Sequence, residues 1–451
     1  MTSLPDSPLS LWLDQYGPYE AAPPVEGEQS ADVAVVGGGF TGLATAIALK
    51  DLDPALDVAV LEAKTVGYGA SGRNGSFAMT VVGLGFGTTA ALRGKTFFKA
   101  AHTYMERAVD EFEAFIDRED IDCDKIRPGF LRVATTSSYV KRLHKQVDLM
   151  QSLGFDGITW IDAAEARAMV DSERYLGGMW EPRLLLVDPA KLVREEKRVA
   201  LGRGARVYED TPVLSIVSEE GARRGFRLLT PRGSLVAQKL AFATNAYSHL
   251  FPTLGHKQVP AFTYMIATEP LTDEQLAPIG WEGRQGLEDA RNLIHYYRLT
   301  PDKRIVMGGG PVGLTYAGSL DADSDQKAWR HLEDHIHFLW PHLRGLRITH
   351  RWGGPFSVTT DLTPALGYVG DHRVVYSLGC IGHGVSMSYV NGRELAALLL
   401  ERPADDLPPC PFINRRMIPW PPEPLQSGVT HALRGYLRAE DGFYERGLTK
   451  D

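Results

Sequence analysis

Cysteine is scarce. The three present in 451 residues, Cys123, Cys380 and Cys410, are scattered and form no C-x-x-C pair. That excludes a disulfide framework and a cysteine-based structural metal, and points to a reducing compartment, read here as the cytoplasm. Long hydrophobic runs are missing too. No apolar stretch reaches the roughly 18 residues of a spanning helix, so a membrane is not expected as a partner. The opening MTSLPDSPLSLWLDQYGPYE has no basic segment ahead of an apolar core, and no secretory signal is expected. Positive charge is in deficit: 48 Lys and Arg against 56 Asp and Glu leave −8, which argues against nucleic acid. What is present is apolar material, 44% of the chain, ample for a large core. At roughly 100–200 residues per domain the length suits two closely joined domains.

The most informative stretch runs from Asp32 to Gly75. Asp32–Val36 is a valine-rich run of the kind that forms a buried parallel strand. Gly37, Gly39 and Gly42 follow at the spacing G-x-G-x-x-G, and a helical pattern runs on to Lys50. A second apolar run, Val58–Leu61, ends at Glu62. This is the order of a dinucleotide-binding βαβ unit. Gly37 permits the tight turn, and Gly39 lets backbone approach a pyrophosphate. Gly42 lets helix and strand pack closely. The helix start, with Phe40 and Thr41, offers free N–H groups to the phosphates. Glu62, followed by Ala63, would accept hydrogen bonds from a ribose diol. The fingerprint alone does not choose between FAD and NAD.

The next loop, Gly67-Tyr68-Gly69-Ala70-Ser71-Gly72-Arg73-Asn74-Gly75, is too rich in glycine to be a regular element. It reads as a loop whose backbone donors face an anion, with Arg73 adding charge. Farther on, helices are expected over Lys95–Asp120 and Tyr139–Leu153, and a strand over Gly129–Ala134. Asp162 with Glu165, and Asp188 with Pro189, are helix starts. Val213–Val217 and Leu240–Tyr247 read as strands. His295–Leu299 is a strand with His295 and Tyr297 on one face and Tyr296 and Arg298 on the other. Gln326–Leu339 is an amphipathic helix. Its His331 and His335 stand at i, i+4, but no third ligand is apparent, so a solvated face is expected and no metal. Near the end, Gly382-His383-Gly384-Val385 is a glycine turn entering a helix, a second N-terminus suited to electron-rich atoms.

Taken together, VVGGGFTGLATAIAL, VAVLEA and GYGASGRNG resemble the FAD-dependent D-amino-acid oxidase superfamily, which includes sarcosine and glycine oxidases. The nearest likeness is to its gamma-glutamylputrescine oxidase branch. The resemblance implies an α/β fold: a Rossmann-like FAD-binding domain and a discontinuous α+β substrate domain built on a mixed or antiparallel sheet. The segments expected are an N-terminal arm (1–30), FAD-binding residues 31–94, 185–255 and 345–405, substrate-domain residues 95–184 and 256–344, and a C-terminal extension (406–451). It also implies non-covalent FAD, touched by Gly69–Ser71, Arg73–Gly75, Val213, Thr244, Asn245 and the Gly382–Val385 turn. The departure is Ser76-Phe77, where the branch usually has glycine and glutamine.

The same resemblance bears on the substrate. Amino-acid-oxidising members show W-x-G-x-R-P-x-T-x-D, whose arginine grips the substrate carboxylate. Here Trp352, Gly354, Thr359 and Asp361 keep register, but the arginine position is Phe356 and the proline is Ser357. A small-molecule amine without an α-carboxylate, or with its acid far from the reacting carbon, fits better. Hydride transfer to FAD would give an imine that hydrolyses to an aldehyde, and molecular oxygen would yield hydrogen peroxide. The alternative is a dehydrogenase passing electrons to a carrier. His383, Tyr297, Arg298, Trp352 and Phe356 are the candidates for the substrate end, with Tyr264 and Tyr296 as further aromatics and Arg73 as an alternative anchor. The oligomeric state is left open.

Overall fold

The computed structural model describes residues 8–219, 225–402 and 407–446. The first seven residues of the expected arm, and the parts of the expected domains at 220–224, 403–406 and 447–451, lie outside the described residues.

Two sheets organise the chain. In the first, five strands run parallel in the order Asp371–Leu378, Gly233–Phe242, Gly27–Val36, Val58–Leu61, Arg206–Tyr208. Ala365–Val369 adds an antiparallel edge. Val58–Leu61 is buried throughout, as a strand covered on both faces must be. The helices Phe40–Leu52 and Gly384–Leu400 cross in contact at Gly392, where a Cβ would lie 2.6 Å from that of Ala44. Only small residues allow that approach.

The second sheet is mixed. Its main path is Gly313–Leu314, Val259–Thr268, Ile305–Gly309, His295–Leu299, Gly286–Asp289, Phe130–Val133, Gly178–Glu181, Thr159–Ile161. Its pairs are antiparallel except Gly286–Asp289 with Phe130–Val133. Its core gathers Trp281, Tyr297, Trp329, Trp340 and Tyr175 with aliphatic residues.

Two segments depart from the expected division. Ile348–Val358, assigned above to the FAD-binding part, pairs along its length with Val259–Thr268 in the second sheet. Lys95–Arg118, assigned to the substrate part, buries Ala101, Tyr104, Met105, Ala108, Phe112 and Phe115 in the core of the first. The reason is local: Phe115 stacks on Tyr389 of the Gly384–Leu400 helix, with ring centroids 4.4 Å apart. The helix starts read from sequence are present. Asp162 and Glu165 form a capping box, and Asp188 caps a helix with Pro189 in its first turn.

Both ends of the described chain pack on the body. Trp12 is buried and donates from Nε1 to the Asn74 carbonyl at 2.9 Å. The helix Leu425–Tyr444 is held at its far end, where Asp441 accepts from Asn292 and Leu293 N–H at 2.8 and 2.9 Å.

Candidate active site

The first junction is built as the glycine spacing requires. Gly37 has φ +109, and a Cβ there would meet the Ala243 carbonyl oxygen at 2.6 Å. A Cβ on Gly42 would meet the Gly37 oxygen at 1.9 Å. A Cβ on Gly39 would meet Ser71 Oγ at 2.7 Å. Glu62 is buried and accepts from Gly38 N–H at 2.7 Å and Lys64 N–H at 3.0 Å. Burial pushes its pKa up, against those two bonds.

The following loop lies across the start of this helix. Ser71 Oγ accepts from Phe40 N–H at 3.0 Å. Asn74 donates to the Ala70 and Ser71 carbonyls, both at 3.1 Å, and accepts from Ser76 N–H at 2.7 Å. Arg73 donates to the carbonyls of Tyr68, Pro8 and Gly353 at 2.7–3.2 Å, so its cation pins the loop in place. Ser76 sits at φ 78, where glycine is the natural occupant, which gives the Ser76 departure a conformational cost.

The second junction precedes the Gly384–Leu400 helix. Gly379, Ile381 and Gly382 all have positive φ, at 76, 51 and 84. Ser357 fastens the turn: its Oγ accepts from Gly379 N–H at 3.0 Å. Ser386 donates to the Met79 carbonyl at 3.0 Å, tying the helix start to the segment that follows the first loop. The position of a Cβ on Gly382 has nothing within 4 Å, so this backbone faces open space.

Between the junctions lies a cavity of about 310 Å³. Of the residues read as flavin contacts, Phe40, Ala70, Ser71, Arg73–Gly75, Asn245 and Gly382–Val385 line it. Gly37, Gly39, Thr41, Gly42, Glu62, Ala63, Gly69, Val213 and Thr244 do not. Most of these sit around the Gly37–Gly42 turn and the strand ends beside it. Val213 is buried in the core of the first sheet, and Thr244 bonds Ser248 Oγ at 2.8 Å.

At the substrate end, Phe356, His383 and Tyr296 line the cavity, and four candidates do not. Tyr264 is buried and donates to the Ala322 carbonyl at 2.9 Å. Tyr297 points from the opposite face of its strand into the second core and shares a 2.9 Å hydrogen bond with Tyr175. Arg298 is fully buried beyond the cavity, donating to the Val187 carbonyl at 2.8 Å beneath Trp12. Trp352 is also fully buried. Its Nε1 donates to the Arg73 carbonyl at 2.9 Å, so it braces the loop and does not face the cavity. These four, Tyr264, Tyr297, Arg298 and Trp352, are corrected from substrate contacts to supporting residues.

His383 Nδ1 is buried and has no hydrogen-bond partner among the described residues. Burial, and then the nearby Arg132 charge, push its pKa down to about 4, so it is neutral at ordinary pH. Sequence reasoning missed Arg132 and Glu288, a buried ion pair at 2.5 Å on the cavity wall. They are cross-strand partners far apart in the chain, so no sequence spacing marks them. It also missed the wall formed by Thr430, Leu433, Arg434 and Leu437 of the C-terminal helix.

The expected solvated histidine face is likewise corrected. His335 is buried, and its ring stacks on His295 at 3.9 Å. Asp289, His295 and His335 each offer a ligand atom within 4.8 Å of the others. Arg291 already lies 2.7 Å from His295 Nδ1 and 3.6 Å from the Asp289 carboxylate, supplying the positive charge that this carboxylate attracts.

A family model described as FAD dependent oxidoreductase matches residues 32–398. The chain belongs to that family. Gamma-glutamylputrescine oxidoreductase of Escherichia coli K12 is 32% identical over 409 residues, 88% of this chain and 90% of the relative. The fold is similar to that of glycine oxidase from Geobacillus kaustophilus, with a TM-score of 0.71 at 20% identity, covering 86% of this chain and 100% of that one. It is also similar to L-proline dehydrogenase from P. horikoshii, with a TM-score of 0.69 at 20% identity, covering 84% and 96%. This FAD-dependent oxidoreductase has the cradle its cofactor requires: glycines whose Cβ atoms would clash, a buried carboxylate beyond the turn, and a second open helix start. No helix of the described residues is long and apolar enough to cross a membrane.

Proposed function

We propose that this FAD-dependent oxidoreductase oxidises a small amine lacking an α-carboxylate, or carrying its acid far from the reacting carbon, and gives its electrons to molecular oxygen. The observation that carries the reading is Phe356 on the cavity wall. A phenyl ring cannot grip a carboxylate, and the other arginines considered from sequence, Arg73 and Arg298, are committed to backbone carbonyls. The E. coli relative is named for a putrescine derivative, which accords with an amine.

Bound FAD supplies the hydride acceptor that side chains cannot provide. The Gly37–Gly42 turn and Glu62 would hold its nucleotide half, and the Ala70–Gly75 and Gly382–Val385 turns its ring. The positive end of the Gly384–Leu400 helix would favour negative charge gathered there. Phe356, Tyr296, Val259 and Met265 give the amine an apolar seat that excludes water. Neutral His383 can accept or donate one hydrogen bond to the bound amine without adding a charge.

The test is a peroxide-release screen of the holoprotein across polyamines, their acylated forms, secondary amines and amino acids. The expected result is one peroxide for each aldehyde, from amines in preference to α-amino acids. Reduction of a dye without oxygen consumption would make the protein a dehydrogenase instead, and a preference for α-amino acids would overturn the role given to Phe356.

A further inference from the structure

The cavity has a charged residue on a wall that does not belong to the FAD-binding or substrate sheets. Arg434 lies on the C-terminal helix Leu425–Tyr444, on the same face as Thr430, Leu433 and Leu437, and all four line the cavity. Its Nη1 donates to the Val312 carbonyl at 3.0 Å. Among the described residues no carboxylate pairs with it.

The other groups around the cavity leave its charge uncompensated. Arg132 and Glu288 neutralise one another at 2.5 Å. Arg73 is bonded to three carbonyls. His383 is neutral. The two arginines also stand at different places: Arg132 pairs with Glu288 inside the second sheet, whereas Arg434 meets the Val312 carbonyl beside the terminal strand Gly313–Leu314. Neither Arg73 nor Arg434 meets a carboxylate among the described residues, but Arg73 is held by three carbonyls and Arg434 by one, which leaves more of the Arg434 fork for a ligand; such a wall favours a ligand bearing an anion and disfavours a further cation. It therefore also favours the amine in its neutral form, which hydride loss from the adjacent carbon requires.

We infer that Arg434 is the substrate-carboxylate anchor, so that the preferred amines carry a carboxylate several bonds away from the carbon that is oxidised. This rests on the amine-oxidation reading for its catalytic consequence, but the binding step can be measured alone. The C-terminal helix thereby supplies specificity while the two sheets supply the chemistry. The planar fork of Arg434 can meet a carboxylate through two parallel N–H bonds, a match that a lysine ammonium cannot reproduce.

The experiment is equilibrium binding to the holoprotein, read by calorimetry and by perturbation of the flavin's visible spectrum. The probes are aminobutyrate, aminohexanoate and aminooctanoate, the corresponding amides, and hexylamine. In the parent protein the longer carboxylates should bind more tightly than their amides. Arg434→Gln should weaken carboxylate binding by roughly 10–100-fold, the scale of a lost charged hydrogen bond, and leave amides and hexylamine unchanged. Arg434→Lys should recover part of the loss. Carboxylate binding undiminished in Arg434→Gln, or amides and hexylamine losing as much as carboxylates in both variants, would overturn the assignment. Anaerobic addition of the same amines separates the two readings: a flavin that no amine bleaches refutes amine oxidation while the carboxylate preference is still scored.

Discussion

At the residue scale, the strongest constraints are the places where an added carbon has nowhere to go. Gly39→Val should abolish flavin retention, because its side chain would enter the space between the helix start and Ser71, already 2.7 Å from a Cβ. Flavin content after gel filtration checks this. Glu62→Ala should weaken retention by about 1–3 kcal/mol, as a lost charged hydrogen bond does, measured by the flavin dissociation constant. His383 carries a pH signature. Its pKa falls from 6.5 to about 4 on folding, so its contribution to stability is complete above pH 6.5 and is lost as the pH falls through 4. His383→Asn should flatten that part of the stability curve, read from urea unfolding across the interval. An unaltered acid-side slope would contradict the buried neutral ring. These glycines and Glu62 were legible in the sequence because their spacing is itself the geometric requirement. Arg132 and Glu288 were not, since they meet only through strand pairing.

At the scale of elements, the His295–Leu299 strand shows what alternation can and cannot say. The two-residue period divides its side chains correctly, but which face meets the cavity depends on the sheet's surroundings. Tyr296 faces the cavity and Tyr297 the core. Tyr297→Phe should therefore leave turnover unchanged and cost about 1 kcal/mol of stability, through the Tyr175 hydroxyl left without its partner. Tyr296→Ala should raise KM for amines without unfolding the protein. Steady-state kinetics beside thermal unfolding of the pair checks both; a turnover defect in Tyr297→Phe would restore it to the site. The Gln326–Leu339 helix teaches the same lesson from the other side. Its histidines look solvated in sequence because His295 and Asp289, which meet them, come from strands outside the helix.

At the scale of the whole molecule, the cavity is closed by three parts of the chain: the turns of the first sheet, the broad face of the second, and the C-terminal helix. The first two were legible as classes of structure. The third was read only as a C-terminal extension, because nothing in the sequence of a terminal helix says which surface it covers. Asp441 fixes its far end on Asn292 and Leu293, which themselves line the cavity. Asp441→Ala should cost about 1–3 kcal/mol through those unpaired N–H groups and raise KM with little change in flavin content. The central claim is that two glycine turns, separated by most of the chain, meet on one flavin with Phe356 and Tyr296 beyond its ring. A crystal structure of the flavin-bound protein tests it most directly. The isoalloxazine is expected between Ala70–Gly75 and Gly382–Val385, open to the cavity; a ring bound elsewhere, or a cavity sealed from it, would refute the convergence of the two turns on one cofactor.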